Sequence, residues 1–356
     1  MKYLKEAAEF LRDIKKTDGV VIVFNNDGDG ICSCVLVSKL LEKKGCGRPY
    51  IISQPMPMDK NLVQRIKTSA PSKIIFLDLV VDQQEDVLKK VRGLADVLII
   101  DHHQIGRDMN GGNVTFFNPR FTKSDIYQST SYCAYKVCSE IEDIKEEIWI
   151  SAVGIISDYE TKDSMDIINE AKKKYSIDGR PYDSFLGRIA DMIPAARATK
   201  MLSCEQIVEM FLKTGDPERM EKTHGGDKLV ESLRVINTEI EDVMKDAEIS
   251  ARKDENVVSY SIKSRYNIDS IISTKLSEKH RDKLVMVWSI RDGKRYKISA
   301  RNQDKNIGAG DVMKKACQGL RASGGGHEAA AGATVDSADW EPFMNNVRNL
   351  ANKKPI

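Results

Sequence analysis

The sequence predicts an α/β protein in which a parallel-sheet domain, covered by helices on both faces, is joined by a long helix to a smaller α/β domain. Three observations lead there. Short apolar runs at Val20–Phe24, Ile51-Ile52, Ile74–Leu77 and Val97–Ile100 alternate with helical patterns, as crossover-connected parallel strands do. Gly225-Gly226 then interrupts a helix-rich region, and a charged amphipathic stretch follows. Strand-like and helix-like segments resume from Val257, so a second unit is expected. The reading divides the chain into a domain over 1–225, a connecting helix over 226–254 and a second domain over 255–356.

The elements follow in order. Leu4, Ala7, Leu11 and Ile14 recur at helical spacing and predict an opening amphipathic helix. Val20–Phe24 is β-branched and apolar and reads as a buried strand, followed by a helix from about Ile31 to Lys44. Ile51-Ile52 marks a second strand, Leu62 and Ile66 another helix, and Ile74–Leu77 and Val97–Ile100 two further strands. Residues 125–225 are mostly helical in pattern, with Trp149–Ile156 an apolar helix ending at Asp158. Leu229, Leu233, Ile236, Ile240 and Val243 form the apolar stripe of the connecting helix. Val257–Tyr260, Leu284–Ile290 and Tyr296–Ala300 read as strands, and Asp269–His280 and Ile307–Gly319 as helices. Trp149, Trp288 and Trp340 lie in apolar patterns and are assigned to cores.

Bulk properties exclude more than they identify. With 55 basic and 53 acidic residues, the net charge of +2 argues for no particular partner. Seven cysteines without paired CxxC motifs read as reduced thiols, which fits a cytoplasmic protein. The N-terminal residues do not read as a signal peptide, and no apolar run reaches membrane-spanning length.

Carboxylates and imidazoles gather where the apolar runs stop. Asp27 and Asp29 follow the first strand in Asn25-Asn26-Asp27-Gly28-Asp29-Gly30, Asp78 ends the third, Asp101-His102-His103 follows the fourth, and Asp158 ends the Trp149 helix. In an open parallel sheet, ligands bind beyond the carboxyl ends of the strands. Gly28 and Gly30 permit a tight turn that aims both aspartates at one point. Any one of these aspartates alone reads more readily as a cap or a strand end; the joint pattern carries the signal. Clustered carboxylates repel unless cations neutralise them, and oxygen ligands with one imidazole suit manganese or magnesium better than zinc. Two divalent cations, with manganese favoured and magnesium possible, are the simplest reading, and such a pair suits phosphoryl displacement.

In the second unit, Gly324-Gly325-Gly326-His327 reads as a loop, either a flexible linker or one whose amides approach a phosphate with the imidazole donating to it. From Arg281 to Arg321 there are eleven basic residues against four acidic ones, a local excess of seven in a nearly neutral chain. By itself such a charge run reads as a solvated face.

The Asp101-His102-His103 motif, with the upstream NDGDG, Asp78 and the downstream Asp158, resembles the DHH phosphoesterase superfamily. The stretch from Ser323 to Gly332 resembles the GGGH motif of the associated DHHA1 domain, and the combination is similar to RecJ-type exonucleases of the compact archaeal form. The resemblance implies one metal held by Asp27 and Asp78, with Asn25 as a weak ligand. It implies a second held by Asp29, Asp78, His102 and Asp158, with Asp78 bridging. Asp101 and His103 would orient His102 and face the scissile phosphate, completing a catalytic set of Asp101, His102 and His103. Arg301, Gly324, Gly325, Gly326 and His327 would bind substrate. The family usually carries histidine where this chain has Asn25, so the first metal is expected to bind more weakly.

The resemblance also implies activity on single-stranded DNA or RNA from one end, with 3′-to-5′ polarity preferred, in replication or repair, and association with the GINS replication complex. Two alternatives stand beside it. One is a phosphodiesterase for very short oligonucleotides, cyclic dinucleotides or phosphoadenosine phosphate. The other is a non-catalytic replication scaffold.

Overall fold

The computed structural model describes residues 2–56, 58–290 and 293–352. They fall into two compact units, Met1–Leu233 and Arg234–Ile356, and each is taken by itself.

The first unit opens with helix α1 (Lys2–Asp13) and continues through β1 (Val20–Asn25), α2 (Gly28–Lys43), β2 (Tyr50–Gln54), α3 (Leu62–Thr68), β3 (Lys73–Leu77), α4 (Glu85–Val91), β4 (Asp96–Ile100) and β5 (Val114–Phe117). The five strands form one parallel sheet in the order β2-β1-β3-β4-β5. Parallel strands covered on both faces need apolar side chains at every position, which is why the runs show no alternation. Val21, Val23, Ile74, Phe76, Val97 and Ile99 pack with Leu62 and Ile66 of α3 and Leu88 and Val91 of α4 on one face. Helices α1, α2 and α5 (Thr130–Ser139) pack against the strands as well. α6 (Ile148–Ser157), α7 (Met165–Lys174), α8 (Phe185–Thr199) and α9 (Cys204–Lys213) complete the helical region expected over 125–225. Trp149 is fully buried and stacks on Phe211 at 5.4 Å.

Strand register places the site. Phe24 pairs with Leu77, Leu77 with Ile100, and Ile100 with Phe117. The next residues, Asn25, Asp78, Asp101 and Asn118, therefore fall in a row across the carboxyl edge. Two backbone bonds extend the ladder by one step, Asp78 N to Ile100 O at 3.0 Å and Asp101 N to Phe117 O at 3.1 Å.

Helix α10 (Gly226–Ser250) spans the division between the units. Its stripe of Leu229, Leu233, Ile236, Ile240 and Val243 is buried. The second unit continues with β6 (Arg252–Lys253), β7 (Val257–Ser261), α11 (Asp269–Lys279), β8 (Leu284–Ile290), β9 (Arg295–Arg301), α12 (Ala309–Ala316), β10 (Ala322–Gly326), β11 (Ala330–Asp336) and α13 (Trp340–Ala351). Its six strands run in the order β10-β11-β9-β8-β7-β6, with β7 and β8 parallel and the other pairs antiparallel. Met286, Ile298, Ala300, Val312, Phe343 and Val347 lie in its core. Trp288 and Trp340 are only partly buried and pack against that core, 4.6 Å apart.

The structure adds α4, β6, β11 and α13 to the sequence reading and departs from it elsewhere. Helix α2 begins at Gly28 rather than near Ile31, because Asp27 caps it by accepting from Gly30 N. Strand β5 adds a fifth member to the sheet. Helix α12 is shorter at both ends than Ile307–Gly319. The glycine run is not a loop: residues 322–326 are the edge strand β10, paired in register with β11. Glycine in a strand often marks a close backbone approach. A Cβ on Gly324 would lie 2.9 Å from Ala333 Cβ and 3.0 Å from both Cys317 Sγ and Met313 O.

Candidate active site

The acidic turn is built by two close approaches. A Cβ on Gly28 would overlap the Ser157 hydroxyl, and one on Gly30 would overlap the Asn25 carbonyl. With neither side chain present, β1 enters α2 within two residues. Asp27 stays at the helix cap, while Asp29 in the first turn is buried.

Asp29 is held by the start of α5. Its Oδ2 accepts from Thr130 N at 2.6 Å and its Oδ1 from Ser131 N at 2.8 Å. Ser129 caps the same helix by accepting from Tyr132 N. Free amides and the helix dipole favour an anion at that point. Thr130 Oγ1 also donates to Asp78 Oδ1 at 3.2 Å. Asp78 itself sits at φ 61°, a left-handed conformation that aspartate tolerates better than most residues.

The imidazoles complete the cluster. His102 Nε2 lies 3.2 Å from Asp78 Oδ1, and His102 Nδ1 lies 3.7 Å from Asp158 Oδ2. Ligand atoms of Asp29, His102 and Asp158 all lie within 4.8 Å of one another, as do those of Asp78, His102 and His103. His103 Nδ1 pairs with Asp101 Oδ1 at 2.7 Å and lies 3.8 Å from Asp78 Oδ1. Asn25 turns its amide nitrogen, not its oxygen, toward the carboxylates. Nδ2 donates to Asp27 Oδ2 and, at 3.1 Å, to Asp78 Oδ2, while Oδ1 accepts from Asn26 N at 2.9 Å.

Electrostatics agree with this crowding. Burial, then the charges of Asp27 and Asp29, push Asp78 well above the usual carboxylate range. Burial likewise raises Asp29, although His102 opposes it. Asp158 is pushed up to about 7, first by burial and then by the charge of Asp29. Asp101 behaves differently. Burial favours its neutral form, but the bond from His103 and the two imidazoles outweigh that and hold it low. Burial pulls His103 down, yet the bond to Asp101 and the nearby carboxylates leave it raised.

These residues fit a divalent cation. His102 Nδ1 and Asp158 Oδ2 are buried polar atoms with no hydrogen-bond partner, and they face one another. Buried polar atoms ordinarily have a partner, so this pair calls for one. A cation would satisfy both and would also relieve the repulsion that raises Asp29, Asp78 and Asp158.

The structure thus gathers Asn25, Asp27, Asp29, Asp78, Asp101, His102, His103 and Asp158 on one edge. Further residues surround them. Arg120 Nε donates to His102 O at 2.8 Å and its Nη1 to Ser124 O at 2.7 Å, so it braces the motif backbone. The Tyr127 ring meets His102 edge-on at 5.1 Å. Arg197 Nη2 holds Asn26 Oδ1 at 2.9 Å.

The second group of candidates lies wholly in the second unit. Ala330 of β11 pairs with Arg301 of β9 and Ala331 with Gly326 of β10, so the β10–β11 turn and Arg301 share one end of the sheet. Arg301 Nη2 donates to Ser270 Oγ at 2.7 Å and Nε to Thr274 Oγ1 at 3.2 Å, both on α11. The turn is anchored by α12, where Gly310 N donates to His327 O at 2.9 Å and Ala309 N to Glu328 O at 2.8 Å. Gly325 has open space around it. Of the basic stretch, Arg291 lies with Asp292 outside the described residues.

A parallel sheet whose carboxyl edge holds an acidic, imidazole-containing cradle defines a metal-binding α/β protein. Two family models match in the order of the units: the DHH family N-terminal domain over residues 19–167 and the DHHA1 domain over residues 254–353. The chain belongs to the DHH/DHHA1 family, whose members are mostly phosphoesterases, and this supports a hydrolase. Its fold is RecJ-like. The manganese complex of RecJ from Thermus thermophilus is similar over 100% of this chain and 56% of its own, at 17% identity and TM-score 0.77. A manganese-bound exonuclease RecJ is similar over 100% of this chain and 96% of its own, at 17% identity and TM-score 0.73. CDC45 from Entamoeba histolytica is similar over 99% of both chains, at 10% identity and TM-score 0.52. The chain thus spans little more than half of the Thermus protein. No curated protein sequence matches it. Among the described residues, no helix is long and apolar enough to cross a membrane.

Proposed function

We propose that the protein is a metal-dependent phosphodiesterase that removes nucleotides from an end of single-stranded DNA or RNA, with 3′-to-5′ polarity preferred, in replication or repair. One observation carries the reading: the buried, partnerless His102 Nδ1 and Asp158 Oδ2 face each other at 3.7 Å beside Asp29 and Asp78. Two divalent cations, manganese preferred over magnesium, are held by Asp27 and Asp78 and by Asp29, Asp78, His102 and Asp158. When bound, such ions activate water and neutralise charge on the phosphoryl oxygens.

The chain's own groups do the rest. Thr130 and Ser131 fix the aim of Asp29, and Asp101 fixes the His103 ring through Nδ1. That leaves His103 Nε2 for the substrate. The ring is 42% exposed and its raised pKa retains a proton closer to neutrality, so it can donate to a phosphate or leaving oxygen. Arg301, Gly324, Gly325, Gly326 and His327 hold substrate phosphate in the 255–356 domain, with 226–254 as connector. The similarity to RecJ, and the fact that the glycine run lies on an open sheet edge, support this part.

The test uses single strands of DNA and RNA labelled at either end, with manganese and with magnesium. Shortening of the label-bearing strand gives polarity and sugar preference. Degradation of dimers to tetramers alone would replace this reading with one of a short-oligonucleotide phosphodiesterase. A second reading, a non-catalytic replication scaffold, draws on the Asn25 amide bridging Asp27 and Asp78 and on the CDC45 fold. Hydrolysis with manganese separates the two, since a scaffold cleaves none of the labelled strands. Association with the GINS replication complex is compatible with either reading and is tested by co-purification.

A further inference from the structure

Asp158 is followed by Tyr159, which ends α6 at φ 57° with 77% of its surface exposed. Its N–H bonds to Ile156 O at 3.1 Å, and the next N–H, of Glu160, reaches Ile155 O at 3.3 Å. Such left-handed helix ends ordinarily take glycine or asparagine. A bulky aromatic there is strained, and core packing does not offset the strain because the ring is exposed. The Tyr182 ring lies nearly parallel to it, with centroids 5.9 Å apart and planes 15° off.

Both rings line a cavity of about 300 Å³ whose other walls include Ile156, Ala190 and Pro194, with Arg180 and Asp191 at its polar side. Arg180 is held by Asp183 through Nε at 2.8 Å and Nη2 at 3.1 Å. Ser157 also lines the cavity, and it is the residue whose hydroxyl leaves no room for a Cβ on Gly28 in the acidic turn. The aromatic cavity and the carboxylate cluster are therefore neighbours. Asp158 and Tyr159 are one peptide unit apart, about 3.8 Å between Cα atoms.

We propose that Tyr159 and Tyr182 form a base-stacking subsite that holds the nucleobase next to the scissile phosphate. The proposal rests on the nucleic-acid phosphodiesterase reading and extends it. The cavity suits one planar base. Apolar walls and a tyrosine face accept any base, and Arg180 and Asp191 make the remaining side of the cavity polar. A nucleotide seated there places its phosphate toward Asp158. The ring does not take part in bond cleavage; it sets how the substrate sits.

The test compares a single-stranded oligonucleotide with an abasic deoxyribose-phosphate chain of equal length, bound to wild type, Tyr159→Gly and Tyr159→Trp. Glycine adopts the left-handed conformation freely, so Tyr159→Gly is expected to melt no lower than wild type. Stacking of one base predicts that Tyr159→Gly binds the oligonucleotide about 5- to 150-fold more weakly and raises its KM, while binding of the abasic chain changes by less than about twofold. Tyr159→Trp keeps the oligonucleotide affinity. Unchanged oligonucleotide binding by Tyr159→Gly, or equal weakening for both chains, overturns the subsite. Failure of the wild type to hydrolyse either chain with manganese overturns the phosphodiesterase reading instead, and the binding comparison still decides the subsite.

Discussion

The two sheets place their chemistry differently. In the first, the central strands β1, β3 and β4 run apolar up to the carboxyl edge, where Asn25 closes β1 and Asp78 and Asp101 stand one position beyond β3 and β4. In the second, the candidate groups other than His327 belong to the strands themselves: Arg301 is the last residue of β9, and the three glycines end β10. A sheet covered on both faces can carry function only at its ends. A mixed sheet with an open edge strand can use the strand. The proposed roles divide the same way, with chemistry at the acidic edge and substrate holding at the glycine edge.

Substitutions can break this division. Asp78→Asn keeps a residue that tolerates positive φ but removes the charge shared by both proposed ion sites. Its kcat is expected to fall about 100- to 1000-fold, with an unchanged circular dichroism spectrum. Activity near wild type would move the chemistry away from this edge. The next largest effect concerns the glycine strand. Gly324→Val must push aside Ala333, Cys317 and the Met313 carbonyl, and is expected to lower stability by about 1–3 kcal/mol in denaturant unfolding. Gly325→Ala, with open space around it, is expected to change stability by less than about 0.5 kcal/mol. Equal losses at both positions would show that the run is not held as a strand.

Arg301→Ala sharpens the comparison further. If Arg301 holds phosphate, KM for a single strand rises about tenfold while kcat stays within about twofold. If its bonds to Ser270 and Thr274 only tie β9 to α11, the melting temperature falls and KM does not move.

The gentlest perturbation is pH. Asp158 titrates at about 7 in the fold, against about 3.9 in an unfolded chain. Between those values the metal-free folded state binds more protons than the unfolded state, so its stability is greatest at the acid end and declines as pH rises through about 7. Asp29 and Asp78 are raised as well and act in the same direction. Manganese is expected to reverse the trend, because it replaces the protons. Melting curves from pH 4 to 8, with and without manganese, check this, and parallel curves would remove the carboxylate cluster from the account.

Much of the first unit is legible in the sequence because burial on both faces writes itself as unbroken apolar runs, and the three that end at the site change abruptly to Asn25, Asp78 or Asp101. Strand β5 escapes such a reading because Val114–Phe117 is four residues long and follows a polar loop, so only its pairing with β4 makes it a strand. Thr130 and Ser131 leave no signal because they hold Asp29 through backbone N–H groups, which almost every residue has. Tyr127 and Arg120 act through His102, a contact that exists only once the chain has folded back. The glycine run misleads for a related reason. Its local signal is that of a loop, and strand β10 arises from a partner, β11, that imposes extension on it.

The grip of α5 on Asp29 has a consequence for how the centre is loaded. Its carboxylate is oriented by the protein's own backbone, at 2.6 and 2.8 Å, and so needs no ion to hold its aim. Ions can then leave and return without refolding the cradle. Chelation should silence the protein reversibly, with recovery as fast as the metal diffuses back.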